Sequence, residues 1–403
     1  MNRITNNNAK TNNKQIGAPQ PRTWVNINIF PPSGDANYHA VLKAYLQPVW
    51  YTREVYDESA LVVGKEGYIN LMYVPKDKVI VRNYNLNVVY KEGVDYLIDG
   101  RKIVRIDGGN LPYFEVDDYY LFKPNHERIA LKLNPLTSKV KFDEERYLWF
   151  GEGEGITNKQ ITISYQTDDT WQDKMPMEKS QNLQNFITKV KSDKKATVLF
   201  YGDSITVGCN ASGTIYGANK PPYLPAWYTL MCSWIEEKFS ANVTAVNKAV
   251  GGWSVKNGVE NFKNVLLELS MGIDLLVLAF GMNDGFTDTE VFKEKTLEMC
   301  QDFLKVNPNG EIILVSTMQP NQESATWVKN QGLFEEVLLE VENEYNCIAV
   351  APVNSVFKAL EKEHFKITRD WLVNNINHPN DFGVRIYAQT LLYTIFGKEF
   401  CDY

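Results

Sequence analysis

Between residue 24 and about residue 165 the apolar positions fall in short or alternating runs: WVNINIF (24–30), KVIVRNY (78–84), NVVY (87–90), RKIVRI (101–106) and QITISY (160–165). The breaks carry KEGVDY, IDGRK and IDGGN, which place Gly after Glu, Asp or Gly where tight hairpins need positive φ. The pattern predicts an all-β module, a sandwich or jelly roll, over residues 21–170. After residue 195 it changes. Nearly continuous apolar runs, ATVLFYG (196–202), VTAVN (243–247), IDLLVLAFG (273–281), EIILVSTM (311–318) and CIAVAPV (347–353), alternate with helical stretches near 223–239, 257–270, 288–306 and 324–345. Such alternation predicts an α/β domain over 196–403, with a parallel sheet covered on both faces and functional loops at the C-terminal ends of its strands. The polar stretch 171–195, which contains Pro176, reads as a linker, and the Asn-rich residues 1–20 as a disordered tail.

Composition narrows the function. A chain of 403 residues exceeds the usual growth of one core, which agrees with two domains. The net charge of -7, with basic residues scattered, argues against a nucleic-acid partner. No apolar run approaches the ~18 residues that cross a bilayer. The first twenty residues have no apolar signal core, so the chain as written reads as cytoplasmic; a secreted chain trimmed of its signal would read the same. Five widely spaced Cys argue against a disulfide framework, and four His against a His-rich metal cluster, so no metal or cofactor is expected.

Four loop segments bear candidate chemistry. The first strand of the second half runs into Gly202-Asp203-Ser204-Ile205-Thr206, where a serine at a strand's C-terminal edge is either a nucleophile or a helix cap. The second runs into Gly251-Gly252, a plain turn or a place where backbone N–H groups approach a ligand. The third runs into Gly281-Met282-Asn283-Asp284, an Asx turn or an amide donor to developing negative charge. Before the last helical run lies Asn377-His378-Pro379, a structural histidine or a base. Their order and their placement at strand exits favour the catalytic reading over each local alternative.

These segments, in the order GDS, Gly, GxND and HP, resemble the sequence blocks of the SGNH (GDSL-like) hydrolase superfamily over residues 196–403. The resemblance implies a flavodoxin-like α/β/α fold and ester cleavage through an acyl-enzyme. It makes Ser204 the nucleophile and His378 the general base. The Ser204 N–H, the Gly252 N–H and the Asn283 side chain become the oxyanion donors. The β-module in front resembles that of two-domain carbohydrate esterases with an N-terminal jelly roll. That implies an O-acetyl esterase acting on an acylated saccharide, with a small-molecule or oligosaccharide ester as its partner and no membrane. A small-acyl esterase of other substrates and a non-catalytic glycan-binding protein are the alternatives.

The chain departs from the family pattern at one position. Most members carry Asp three residues before the histidine, where this chain has Asn375. Either Asn375 orients His378, or a carboxylate from elsewhere does so, with Asp370 and Asp381 as candidates, or the site works as a Ser-His dyad. Asp203 and Asp284 read as loop-structuring carboxylates. Trp227, Trp253, Met282 and Gln319-Pro320-Asn321 are candidate pocket walls. The sequons at Asn210 and Asn242 carry no weight without evidence of secretion.

Overall fold

In the second half, side chains alternate between two separate cores, as required of strands covered on both faces. Val198, Val277, Ile313 and Ala349 point into one core, and Leu199, Leu276, Ile312 and Ile348 into the other. The computed structural model, which describes residues 25–122, 139–269 and 272–402, builds these segments into a parallel five-stranded sheet. Its strands are β10 (Lys195–Gly202), β11 (Asn242–Asn247), β12 (Leu275–Ala279), β13 (Glu311–Val315) and β14 (Ile348–Ala351). Their spatial order, β11-β10-β12-β13-β14, is the doubly wound order whose ligand crevice opens at the C-terminal ends flanking the first strand.

Helices α5 (Trp227–Phe239), α6 (Val255–Glu268), α7 (Thr289–Val306), α8 (Phe334–Glu342) and α9 (Val353–Lys362) connect or follow these strands, and α10 (Asp381–Phe396) comes near the C-terminus. In α10 every residue except Tyr393 is buried, which marks a helix enclosed on all sides. One side faces the sheet. The other faces the N-terminal half, where Arg385 donates to the carbonyls of Tyr56 (2.8 Å) and Asp57 (2.7 Å), and Gln389 to that of Tyr45 (2.9 Å).

The sheets of the N-terminal half are antiparallel. β9 (Gln160–Gln166) lies between β1 (Glu54–Leu61) and β3 (Ile80–Asn83); β5 (Lys102–Arg105) between β2 (Tyr68–Asn70) and β4 (Tyr96–Asp99); and β8 (Asp143–Leu148) between β6 (Tyr120–Leu121) and β7 (Lys139–Val140). The described residues thus form three three-stranded antiparallel sheets, consistent with a β domain. They also include a nine-residue helix, α1 (Tyr38–Leu46). Of the run 24–30, the described residues 25–30 form no strand; Phe30 instead donates its N–H to the Pro222 carbonyl in the second half.

The expected linker is structural. Within 171–195, Leu183, Phe186, Ile187 and Val190 are buried in the main core, and the segment contains the helix α3 (Gln184–Thr188). That core runs without interruption from Val41 and Ile163 to Leu391 and Phe400, so the two halves share it. The tail expected at 1–20 lies outside the described residues. No described helix is long and apolar enough to cross a membrane.

Candidate active site

Ser204 opens the short helix α4 (Ser204–Val207) directly after β10. Asp203 caps that helix, its Oδ1 accepting the Ile205 N–H at 2.9 Å, which holds the turn that presents the serine. Burial lifts the Asp203 carboxyl, and although the Ile205 N–H and His378 pull it back, it settles at about 7. Asp203 and Asp284 are the loop-structuring groups expected of them: Asp284 receives the Val255 N–H at 3.0 and 3.1 Å and the Thr287 hydroxyl at 3.1 Å.

Gly251 and Gly252 follow β11 beside Ser204, and a Cβ on Gly251 would stand 3.9 Å from Ser204 Cβ. Gly252 adopts φ +79°, which a side chain would strain. The Val250 N–H binds the Gly202 carbonyl at 3.0 Å, keeping this loop against the end of β10. Asn283 follows Gly281 in a 3-10 turn after β12 and donates to the Trp253 carbonyl at 3.0 Å, so the Asn and Gly loops are tied together. The amide retains a second N–H to offer a ligand.

His378 reaches across from the loop before α10. Its Nε2 lies 2.9 Å from Ser204 Oγ. Asn374 shapes that loop, its Oδ1 accepting the backbone N–H groups of Ile376, Asn377 and His378 at 3.0–3.1 Å. The other imidazole nitrogen, Nδ1, faces Asn210 Oδ1 at 2.5 Å and Glu152 Oε1 at 3.5 Å. An amide oxygen accepts only, so the proton resides on Nδ1 and the Nε2 lone pair faces the serine hydroxyl.

Asn375 does not fill the orienting role considered for it. Fully buried at φ +70°, it turns toward the N-terminal half: Nδ2 donates to the Trp149 carbonyl at 2.9 Å, and Oδ1 accepts from the Tyr119 hydroxyl (2.8 Å) and Asn321 Nδ2 (3.0 Å). The two carboxylate candidates are engaged elsewhere. Asp370 lies 3.4 Å from Lys366 and accepts the Leu61 N–H, and Asp381 accepts the Ser212 N–H. Glu152, four residues beyond β8, and Asn210 went unread in the sequence, because each lies remote from His378 along the chain. The Asn210 sequon was a signal of a different kind; in the fold its side chain is 5% exposed and turned to the imidazole, so it is no glycan acceptor.

Of the expected pocket walls, Trp227, Met282 and Asn321 are fully buried, and Trp227 donates to the Ile205 carbonyl from within the core. Among the described residues no group of His, Cys, Asp and Glu is arranged to hold a metal ion.

Residues 200–386 match the model of the GDSL-like Lipase/Acylhydrolase family. No curated protein matches the chain. Solved structures do: a mutant of Axe2, an acetyl-xylooligosaccharide esterase from Geobacillus, is 15% identical over 50% of this chain and 94% of its own, with a TM-score of 0.40. A member of the lipolytic G-D-S-L family from Veillonella parvula is 20% identical over 49% of this chain and 96% of its own, with a TM-score of 0.39. LAE5, an alpha/beta hydrolase from the metagenome of Lake Arreo, is 17% identical over 50% and 95%, with a TM-score of 0.40.

Proposed function

We propose that the protein, whose residues 200–386 match the GDSL-like Lipase/Acylhydrolase family, is a serine ester hydrolase working through an acyl-enzyme, and that its substrate is an O-acetylated carbohydrate. The 2.9 Å contact between His378 Nε2 and Ser204 Oγ carries this reading. Ser204 Oγ attacks the ester carbonyl carbon while Nε2 takes its proton. The carbonyl oxygen becomes an oxyanion, stabilised by the N–H groups of Ser204 and Gly252 and by the Asn283 amide. Collapse of this intermediate breaks the bond to the alcohol, which leaves with the proton from Nε2. Water, deprotonated by the same imidazole, then attacks the acyl-serine; the bond to Ser204 Oγ breaks, Oγ regains the proton from Nε2, and the acid is released.

Three features support a small acyl group on a polyhydroxylated alcohol. Ser204 is only 5% exposed, which leaves little room for a long chain. The surroundings of His378 are Asn210, Asn374 and Glu152, hydrogen-bonding groups rather than an apolar trough. A cleft of about 410 Å³, lined by Tyr113, Phe114, Glu115, Asp118, Trp149 and Lys159, opens on the loop that bears Glu152. Aromatic faces interspersed with carboxylates suit a sugar ring.

Wild-type protein is expected to hydrolyse p-nitrophenyl acetate and Ser204→Ala to show no turnover above buffer; equal rates would reject the enzyme. Across acyl esters of rising length, kcat/KM should fall beyond acetyl, and acetylated oligosaccharides should exceed simple acetates. A preference for octanoyl esters would reject the substrate class.

A further inference from the structure

The nucleophile and base come from the α/β half, but the group behind the base does not. We propose that Glu152, carried by the N-terminal half, is the carboxylate that positions and supports His378, acting directly and through Asn210, in place of the acid this chain lacks at residue 375. This rests on the esterase reading above.

Three observations converge on Glu152. Its Oε1 stands 3.5 Å from His378 Nδ1, on the side of the ring opposite Ser204. The same oxygen accepts from Asn374 Nδ2 at 2.9 Å, and Asn374 is the residue whose Oδ1 holds the backbone of the histidine loop. Asn210 bridges the two, its Oδ1 on the imidazole and its side chain hydrogen-bonded to the Glu152 carboxylate. Burial pushes the Glu152 carboxyl up, but His378, Asn374 and Asn210 together outweigh it and bring the group down to about 2, so it is ionised wherever the enzyme would work.

Asn375 gains a purpose in this arrangement. Its side chain grips the Trp149 carbonyl, three residues before Glu152, and neighbouring Ile376 packs in one cluster with Leu148, Trp149, Phe150 and Ile156. The position that would otherwise supply the acid therefore anchors the loop that brings one. Other ionisable groups nearby do not compete for Nδ1. Asp203 approaches from the nucleophile turn, where its Oδ1 is held by the Ile205 N–H. Cys209, beside Glu152 and Asp203, is pushed up to about 12 by burial and stays a neutral thiol.

Glu152→Gln keeps size and hydrogen bonding but removes the charge. Its kcat on p-nitrophenyl acetate should fall roughly 10- to 100-fold with KM little changed, less than the ~10⁴ lost with a fully enclosed triad acid, because this carboxylate is partly exposed. Glu152→Asp should recover part of the rate. The downfield proton resonance of His378 Nδ1–H, a readout independent of turnover, should move upfield in Glu152→Gln. A Gln variant that matches wild type in kcat and resonance overturns the proposal. So does one that only lowers the unfolding midpoint, which is the behaviour of a structural residue. A wild type without esterase activity, whose resonance still moves on Glu152→Gln, rejects the esterase reading while supporting the Glu152 pairing.

Discussion

At the scale of single residues, the histidine loop shows how the same side-chain type can do unrelated work. Asn374 organises the loop, Asn375 ties it to the N-terminal half, and Asn210, from another loop, meets the imidazole. Asn210 and Asn375 both take left-handed backbone, at φ 69° and 70°, which Asn tolerates better than most residues. Restoring the family's usual acid by Asn375→Asp should therefore not build a second route to His378. It would replace the Nδ2 donor with an oxygen facing the Trp149 carbonyl at a fully buried site. The expected cost is about 2–4 kcal/mol in urea unfolding, with kcat no higher than wild type. A variant as stable as wild type and more active would contradict this account. The meeting of Ser204 and His378 was legible because each sits in a short local motif, one directly after β10 and one just before α10. The contacts of Glu152 and Asn210 with the imidazole were not, because they exist only after three distant loops meet.

Elements repeat the lesson. The strands of the parallel sheet announce themselves as apolar runs, since both faces are buried. β1 (EVYDESAL) does not, because its Asp57 and Glu58 are buried against partners far along the chain: Arg82 for Asp57, and Lys366 for Glu58 at 2.8 Å, with both side chains of the latter pair fully enclosed. A pattern reader scores those positions as polar and misses the strand. The loop after β12 makes a quantitative case. Burial raises the Asp284 carboxyl from 3.8 to about 6, against the pull of the Val255 and Thr287 hydrogen bonds. The native state thus binds this proton more tightly than the unfolded chain, and between about pH 4 and 6 stability falls as pH rises. The loss through this group should reach about 3 kcal/mol above pH 6. Asp284→Asn removes the titration, so its stability relative to wild type should improve between pH 4.5 and 7.5 in denaturant melts. A pH-independent difference between the two proteins would refute the assignment.

For the whole molecule, the decisive fact is that the sequence divides near residue 195 while the core does not. Composition and periodicity reveal the change from antiparallel to parallel architecture, but they are silent about which surfaces meet. Here α10 lies between the sheet and the N-terminal half, and the fully enclosed Lys366 ammonium depends on Glu58 and on the carbonyls of Ser59 and Asn70 from that half. Deleting residues 1–195 would expose Phe382, Ile386 and other core side chains of α10 and leave Lys366 with Asp370 as its remaining carboxylate. With its share of the common core gone, the fragment loses apolar burial that is large against the small margin by which an ordinary domain is stable. The fragment 196–403 should therefore lack a cooperative unfolding transition, although it contains Ser204, Gly252, Asn283 and His378. Co-expression with residues 21–195 should restore both the transition and hydrolysis of p-nitrophenyl acetate. Were the fragment alone to unfold cooperatively with wild-type turnover, neither the shared core nor a carboxylate supplied from the N-terminal half could be needed for the chemistry.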